Sequence, residues 1–231
     1  MPTAIVVGAS AGIGQAVVRR LIAEGWRVTG IARREATFSH ERYQHVTGDV
    51  RSPELRTQLI AVIDGLGAPL DLCVYAAGIG HVLDFGDLTH EADVITTNLV
   101  GLATTVEAVL PRMVAAKAGH LVGLSSQADR WIDDQSPSYA ASKAGMSSYL
   151  HGLALAAKPH GVAITNIRFG FVDTDMSREN GVRPFVITAD KAASIVARCL
   201  VRRPIRYTYP RTMAALLWLG GIPRRLRIWL S

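Results

Sequence analysis

Short apolar runs alternate with helical segments along most of the 231 residues, and this alternation constrains the fold more than any other feature of the chain. The runs are nearly continuous rather than interrupted at every second residue, which is typical of parallel strands covered on both faces. We predict strands at residues 3–8, 27–32, 45–48, 70–75, 120–125 and 162–169, and helices at residues 13–24, 53–64, 92–116 and 138–158. Repeated β-α-β order with right-handed crossovers gives an open, doubly wound sheet.

Nothing in the sequence divides the chain into separate domains. It has no linker rich in proline, glycine or serine and no internal repeat, and 49% of its residues are hydrophobic, which excludes intrinsic disorder. We therefore predict a single α/β domain over residues 1–231, a Rossmann-like fold with a central parallel β-sheet flanked by helices. Its core is assigned to residues 3–200, and residues 201–231 form an apolar, arginine-rich extension.

The net charge of +6 arises in that extension. It holds seven of the 25 basic residues and no Asp or Glu, so 18 basic residues remain against 19 acidic ones elsewhere. The charge therefore describes a tail and does not indicate a nucleic-acid-binding body. The seven arginines are Arg202, Arg203, Arg206, Arg211, Arg224, Arg225 and Arg227.

Cysteine and histidine usage predicts a cytoplasmic protein without a metal site. Cys73 and Cys199 lie in apolar surroundings and are expected to be buried, reduced thiols. The seven histidines form no cluster with metal-ligand spacing. No cleavable leader is expected, since the N-terminus runs directly into a strand, and the apolar run at 213–219 is shorter than the roughly 20 residues that cross a bilayer.

A glycine-rich turn joins the first strand to the first helix. Gly8, Gly12 and Gly14 stand in the spacing G-x-x-x-G-x-G, with Ser10 and Ile13 between them. Glycines allow a backbone to approach a pyrophosphate, and the N-terminus of a helix attracts the anion. The alternative is a tight turn without a ligand.

Four polar residues converge on the carboxyl ends of the strands, where such sheets bind ligands. Tyr139 and Lys143 share one helix face at i and i+4, and an ammonium lowers the pKa of a nearby phenol from about 10. Ser126, at the end of the fifth strand, can hold a carbonyl or hydroxyl group. Asn98, inside the long preceding helix, can brace a water or a backbone group that leads protons to Lys143. Taken singly, each has an ordinary structural explanation, as a surface pair, a turn former or a helix kink.

This set resembles the short-chain dehydrogenase/reductase family over residues 3–176, because the glycine loop, the asparagine, the serine and the Y-x-x-x-K pair occur in the expected order. The resemblance implies an NAD(P)(H)-dependent oxidoreductase. Tyr139 would be the proton donor and acceptor, and Ser126 would orient the substrate. Lys143 would bind the nicotinamide ribose and lower the pKa of Tyr139, with Asn98 supporting the proton relay.

The resemblance also assigns residues to the cofactor. Arg33 and Arg34 stand at the end of the second strand, where an acid would select NAD(H), so NADP(H) is expected and NAD(H) stays the alternative. The other assigned residues are Asp49 and Val50 at the adenine, Ala76, Ala77 and Gly78 where the family has Asn-Ala-Gly, and Gly170, Val172 and Thr174 at the nicotinamide end.

The predicted substrate is a small to medium, apolar ketone or secondary alcohol. The short segment at 177–187 predicts an open or small lid. The C-terminal extension is interpreted as a cap on the pocket or a subunit interface, and a peripheral membrane contact with a lipid-like substrate is the alternative. A dinucleotide-binding regulator without turnover is the rival class. By resemblance, the helix from Ser138, which carries several small residues, and the helix before it would form a homodimer or homotetramer.

Overall fold

The computed structural model describes residues 1–178 and 183–217, and in these residues seven parallel strands form one sheet in the order β3-β2-β1-β4-β5-β6-β9. A separate two-stranded sheet pairs β7 with β8. The strands are β1 (Thr3–Val7), β2 (Arg27–Ala32), β3 (Tyr43–Thr47), β4 (Leu72–Tyr75), β5 (His120–Ser126), β6 (Ala163–Phe169), β7 (Val172–Asp173), β8 (Ile187–Thr188) and β9 (Arg206–Tyr209). The direction of winding reverses between β1 and β4, so the predicted doubly wound, Rossmann-like sheet is confirmed.

Helices cover both faces of the large sheet. They are α1 (Gly12–Ala23), α2 (Leu55–Asp64), α3 (Thr89–Ile95), α4 (Gly101–Ala116), α5 (Pro137–Ala157), α6 (Asp175–Arg178) and α7 (Ala189–Arg202). Alternate strand residues point into opposite layers, as the pleat requires. Ile5 and Val7 join the core formed with α2, α4 and α5, whereas Ala4 and Val6 join the core formed with α1 and α7. Burial on both faces explains why the strands are continuously apolar.

The helix predicted at residues 92–116 is one helical stretch that changes its winding. A π-helical turn, Thr96–Val100, separates α3 from α4. π-Helical turns are rare in proteins, and those that occur often lie at functional sites. This one contains the wholly buried Asn98. By length and composition the stretch Thr89–Ala116 could span a membrane, but it buries Leu102, Val109 and Met113 in the core, as a core helix does.

The C-terminal part of the sheet differs from the prediction. Residues 201–231 were assigned to an extension outside the core, yet Arg206–Tyr209 is the last strand of the sheet and pairs with β6. The sequence Arg-Tyr-Thr-Tyr contains no apolar run, so its pattern did not indicate a buried strand. Residues 211–217 then form a helical segment in which Leu216 is 59% exposed, and the rest of the apolar block at 213–219 lies outside the described residues.

Candidate active site

A cleft of about 440 Å³ opens at the carboxyl ends of the strands, where the winding reverses. Most of the residues expected to bind a cofactor line it, namely Gly8, Ser10, Gly12, Ile13, Gly14, Arg33, Arg34, Asp49, Val50, Ala76, Ala77, Gly78 and Thr174. Residues that are far apart in the sequence thus line the same cleft. The cleft lies along the ends of four strands, β1 to β4, and so can hold an extended ligand.

The glycine loop leaves no room for side chains. Gly8 has φ of +88°, which favours glycine, and a Cβ at this position would overlap the backbone of Ala77. A Cβ on Gly14 would overlap the carbonyl oxygen of Gly8, and α1 begins at Gly12. The free N–H groups at the start of α1 therefore stand at the cleft wall, which fits a pyrophosphate.

Arg33 and Arg34 border the cleft as exposed side chains. Within the described residues, neither of them forms an ion pair with a carboxylate. The nearest acid in this wall, Asp49, is held by Arg51, whose Nη2 lies 2.9 Å from Asp49 Oδ2. Hydrogen bonding from Arg51 holds the pKa of Asp49 below its usual value. The charge of Arg33 also lowers the pKa of Asp49, and both cleft arginines are exposed to an anionic ligand.

The segment at 75–78 lacks the asparagine of the family's Asn-Ala-Gly pattern, and other hydrogen bonds hold it in place. Tyr75 is wholly buried, and its hydroxyl donates to the carbonyl oxygen of Thr97 over 2.5 Å. The small side chain of Ala76 packs close to Gly14, and its N–H donates to Val7 O over 2.8 Å. Sequence reasoning missed this role for Tyr75, because the contact joins residues 22 positions apart.

Asn98 braces backbone rather than facing the open cleft. Its Oδ1 accepts from Ile79 N and its Nδ2 donates to Ile79 O, both over 2.9 Å. Nδ2 also donates to Ser142 Oγ over 2.9 Å, and that hydroxyl donates to Tyr139 O over 2.8 Å. Asn98 therefore ties the segment after β4 to the helix that carries Tyr139. Ser142 is a second residue that the sequence analysis did not single out.

Lys143 is buried beside Asn98 and Gly78. Its Nζ donates to Leu124 O over 3.2 Å and lies 5.7 Å from the centre of the Tyr139 ring. A Cβ on Gly78 would lie 3.4 Å from Nζ and 3.3 Å from Asn98 Oδ1. Burial lowers the pKa of Lys143 from its usual 10.5 to about 8, because the charged form loses its hydration.

Tyr139 lies against Gly80, where a Cβ would stand 3.1 Å from the ring. Burial raises the pKa of Tyr139, and a hydrogen bond with the Ser126 side chain lowers it to a smaller extent. From the sequence, Lys143 is expected to lower this pKa, whereas in the structure desolvation raises it and the side chain that opposes this shift is Ser126. The phenol is consequently protonated near neutrality, and Tyr139, Ser126 and Lys143 are grouped at the end of β5.

Three further residues lie outside the cleft wall. Ser125 Oγ donates to Lys143 O over 3.2 Å and so ties β5 to α5. Val172 points its side chain into the core against α7, and Gly170 is covered by Pro210 and Met213. Of the three residues assigned to the nicotinamide end, Thr174 is the one that lines the cleft.

We expect Lys143 to make the stability of the protein rise with pH. Since its pKa is about 8 in the folded protein and 10.5 when unperturbed, the unfolded state binds more protons between these values. The free energy of unfolding should therefore increase by about 2–3 kcal/mol from pH 7 to pH 10, relative to a Lys143→Met variant. Urea unfolding at several pH values measures this difference. The exposed Lys191→Met variant is the control and should follow the wild type, while parallel curves for wild type and Lys143→Met would contradict the expectation.

Within residues 1–178 and 183–217, no three His, Cys, Asp or Glu side chains are grouped so that they could hold a metal ion.

The chain is similar to known proteins in sequence and in fold. The family model for short chain dehydrogenases matches residues 2–183. An uncharacterised oxidoreductase of Myxococcus xanthus is 32% identical over 236 residues, covering 97% of this chain and 90% of that protein. Among solved structures, an actinorhodin polyketide ketoreductase variant with NADPH is 25% identical with a TM-score of 0.78, covering 90% of this chain and 95% of that one. A short chain dehydrogenase from Burkholderia cenocepacia in complex with NADP has the same fold, with a TM-score of 0.84 at 23% identity over 98% of this chain and 95% of that one.

Proposed function

Because the chain belongs to the short-chain dehydrogenase/reductase family, we propose that it is an NADP(H)-dependent enzyme that interconverts a carbonyl group and a secondary alcohol. The observation that carries the proposal is the grouping of Tyr139, Ser126 and Lys143 beside a cleft whose glycine loop fits a dinucleotide. The chain is a family oxidoreductase acting on CH–OH or carbonyl groups. We propose, in addition, the roles of its individual residues and its choice of cofactor.

The cleft residues fit the cofactor as follows. The loop Gly8–Gly14 would hold the pyrophosphate at the start of α1, with Asp49 and Val50 at the adenine, and Ala76, Ala77 and Gly78 would allow the backbone to pass beneath the ligand. Thr174 would contact the carboxamide. Gly170 and Val172 do not line the cleft and would act only by supporting the segment that carries Thr174. The bound nicotinamide supplies or accepts the hydride.

The protein's own contribution is proton transfer and positioning. Tyr139 gives the proton of its hydroxyl to the carbonyl oxygen, and Ser126 Oγ holds that oxygen in place. Burial raises the pKa of Tyr139, so its hydroxyl holds the proton that a donor must carry before reduction. Lys143 would bind the ribose, and Asn98 fixes the backbone of Ile79 and, through Ser142, the start of α5.

The preference for NADP(H) rests on Arg33 and Arg34. Two guanidinium groups without a described carboxylate partner can grip a 2′-phosphate, which NAD(H) lacks. We expect the Arg33→Ala/Arg34→Ala variant to bind NADPH at least about tenfold more weakly and NADH within about twofold of the wild type. Fluorescence titration measures both dissociation constants. Exposed Arg198→Ala, on α7, is the matched control, and tighter binding of NADH than NADPH by the wild type would overturn the preference.

The proposed substrate is a small to medium, apolar ketone. Val82, Phe85 and Ile132 are exposed in the loops after β4 and before α5, and the two loops are joined by Leu83 N, which donates to Gln135 O over 2.7 Å. The first of these loops contains Gly80, which lies against the Tyr139 ring. The actinorhodin ketoreductase, named for a keto substrate and solved with NADPH, supports the same reaction class. A panel of ketones with NADPH, followed by the loss of absorbance, tests the proposal. Turnover of no ketone or alcohol, despite dinucleotide binding, would favour the rival, a regulator without turnover.

The remaining expectations concern assembly and place in the cell. Contact of Pro210 and Met213 with Gly170 supports the C-terminal segment as a cap on the substrate side, in preference to a membrane anchor. Exposed Val100 and Leu155, on the helical stretch 89–116 and on α5, support a homodimer or homotetramer through these helices. Two buried free cysteines support a reducing, cytoplasmic location.

We propose that residues 1–231 form one domain.

A further inference from the structure

A second cavity, of about 400 Å³, lies where β9 and residues 211–217 meet the segment after β5. Its lining shares no residue with the dinucleotide cleft. Four arginines line it, one from each of four different segments or strands, and they are Arg130, Arg168, Arg206 and Arg211. The role of this cavity does not follow from the reaction proposed above.

One of the four arginines is a fixed part of the cavity floor. Arg168 is buried, forms a bidentate ion pair with Asp129, and donates through Nη1 to Thr208 Oγ1 over 3.1 Å. Asp129 is held in turn by Ser147, whose Oγ donates to its Oδ2 over 2.6 Å. The positive charge of Arg168 is therefore already balanced, and its position is set by two partners, Asp129 and Thr208.

The charges at the rim are not balanced in this way. Arg206 and Arg211 are exposed, and within residues 1–178 and 183–217 neither pairs with a carboxylate. The sequence beyond residue 200 contains no Asp or Glu, so its side chains offer them no acidic partner. Arg206 and Thr208 are two residues apart on β9 and so lie on one face of the sheet, the face to which Arg168 donates.

We propose that this cavity binds an oxyanion, a phosphate or carboxylate group, between Arg206 and Arg211. The planar guanidinium fork matches the geometry of these anions, and charge-assisted hydrogen bonds to them are stronger than neutral ones. An anion also removes the repulsion between like charges gathered around one cavity. The rigid Arg168–Asp129 pair presents a preformed floor, which lowers the cost of ordering the site.

The test is a calorimetric titration with inorganic phosphate at constant ionic strength. The Arg206→Gln/Arg211→Gln variant is expected to bind phosphate at least about tenfold more weakly than the wild type, while the Arg198→Gln control on α7 binds as the wild type does. Both substituted side chains are exposed, so circular dichroism and the urea midpoint should not change. Phosphate can also bind at the glycine loop, and such binding would remain in the double variant. Identical isotherms for the wild type and the double variant would overturn the proposal.

A second measurement distinguishes the source of the anion. Co-sedimentation with vesicles of phosphatidic acid in phosphatidylcholine is compared for the same three proteins. Pelleting that requires Arg206 and Arg211 assigns the site to a lipid headgroup. Phosphate binding with the same requirement but without pelleting assigns it to a soluble anion. If neither phosphate nor vesicles distinguish the double variant from the control, the cavity is not an anion site.

Discussion

Replacing Tyr139 with phenylalanine is expected to lower kcat for carbonyl reduction by about 10³-fold, within the range that positioned acid–base groups supply. The phenol is the proposed proton donor, it lies against Gly80 and bonds to Ser126, and phenylalanine removes the hydroxyl alone. Dinucleotide binding should stay within about twofold of the wild-type value, because the ring and its packing are kept. Steady-state kinetics with NADPH and an active ketone, together with fluorescence titration, measure the two effects separately.

Another tyrosine on the same helix provides the control for this substitution. Tyr149 lies ten positions further along α5, away from the cleft lining, and Tyr149→Phe should retain full activity. Activity of Tyr139→Phe equal to the wild type would refute the proton role. Loss of activity together with loss of dinucleotide binding would indicate that the phenol positions the ligand instead.

Replacing Asp129 with asparagine is expected to destabilise the protein by about 3–5 kcal/mol, because it leaves the guanidinium of Arg168 buried without its counter-charge. The two side chains are 3% and 6% exposed, so water cannot replace the lost partner. An ordinary domain has a free energy of unfolding of about 5–15 kcal/mol, and the loss would be a large share of it. Urea unfolding followed by circular dichroism measures the change.

The second substitution in this pair tests the cause. If unpaired charge is the reason, Arg168→Gln added to Asp129→Asn should recover part of the stability, since two amides can bond to each other without a buried charge. Asp133→Asn, at a half-buried position in the loop before α5, is the matched control, because the amide oxygen can still accept from Gln135 N, and it should change the stability by less than about 0.5 kcal/mol. An unchanged urea midpoint for Asp129→Asn would show that the ion pair contributes little.

Local patterns predicted much of the fold and of the candidate site. The strand, glycine loop and helix from Thr3 to Ala23 are continuous in sequence, and so are Tyr139 and Lys143, one helical turn apart. Their positions need only the period of a strand or helix to be inferred. Helix α7 could also have been inferred from its helical period, although it is absent from the predicted helices. Its signal was present, because Thr188 caps the helix by accepting from Lys191 N and the apolar residues that follow have helical spacing.

The features that sequence reasoning missed depend on contacts between distant residues. The hydroxyl of Tyr75 bonds to the π-helical turn, Asn98 bonds to Ser142 across 44 positions, and Arg168 bonds to Asp129 across 39. No periodic pattern encodes such pairs. The upward shift of the Tyr139 pKa also cannot be read from a periodic pattern, because it depends on how deeply the folded chain buries the phenol.

The last strand of the sheet has a consequence for how the chain is made. The N–H groups of Asn166 and Gly170 find their partners in Ile205 and Tyr209, near the end of the chain. Until the ribosome has released that segment, β6 is an open edge that can pair with another nascent molecule. A fragment cut before residue 205 would keep this edge permanently, so a shortened version for crystallisation or fusion should retain the strand.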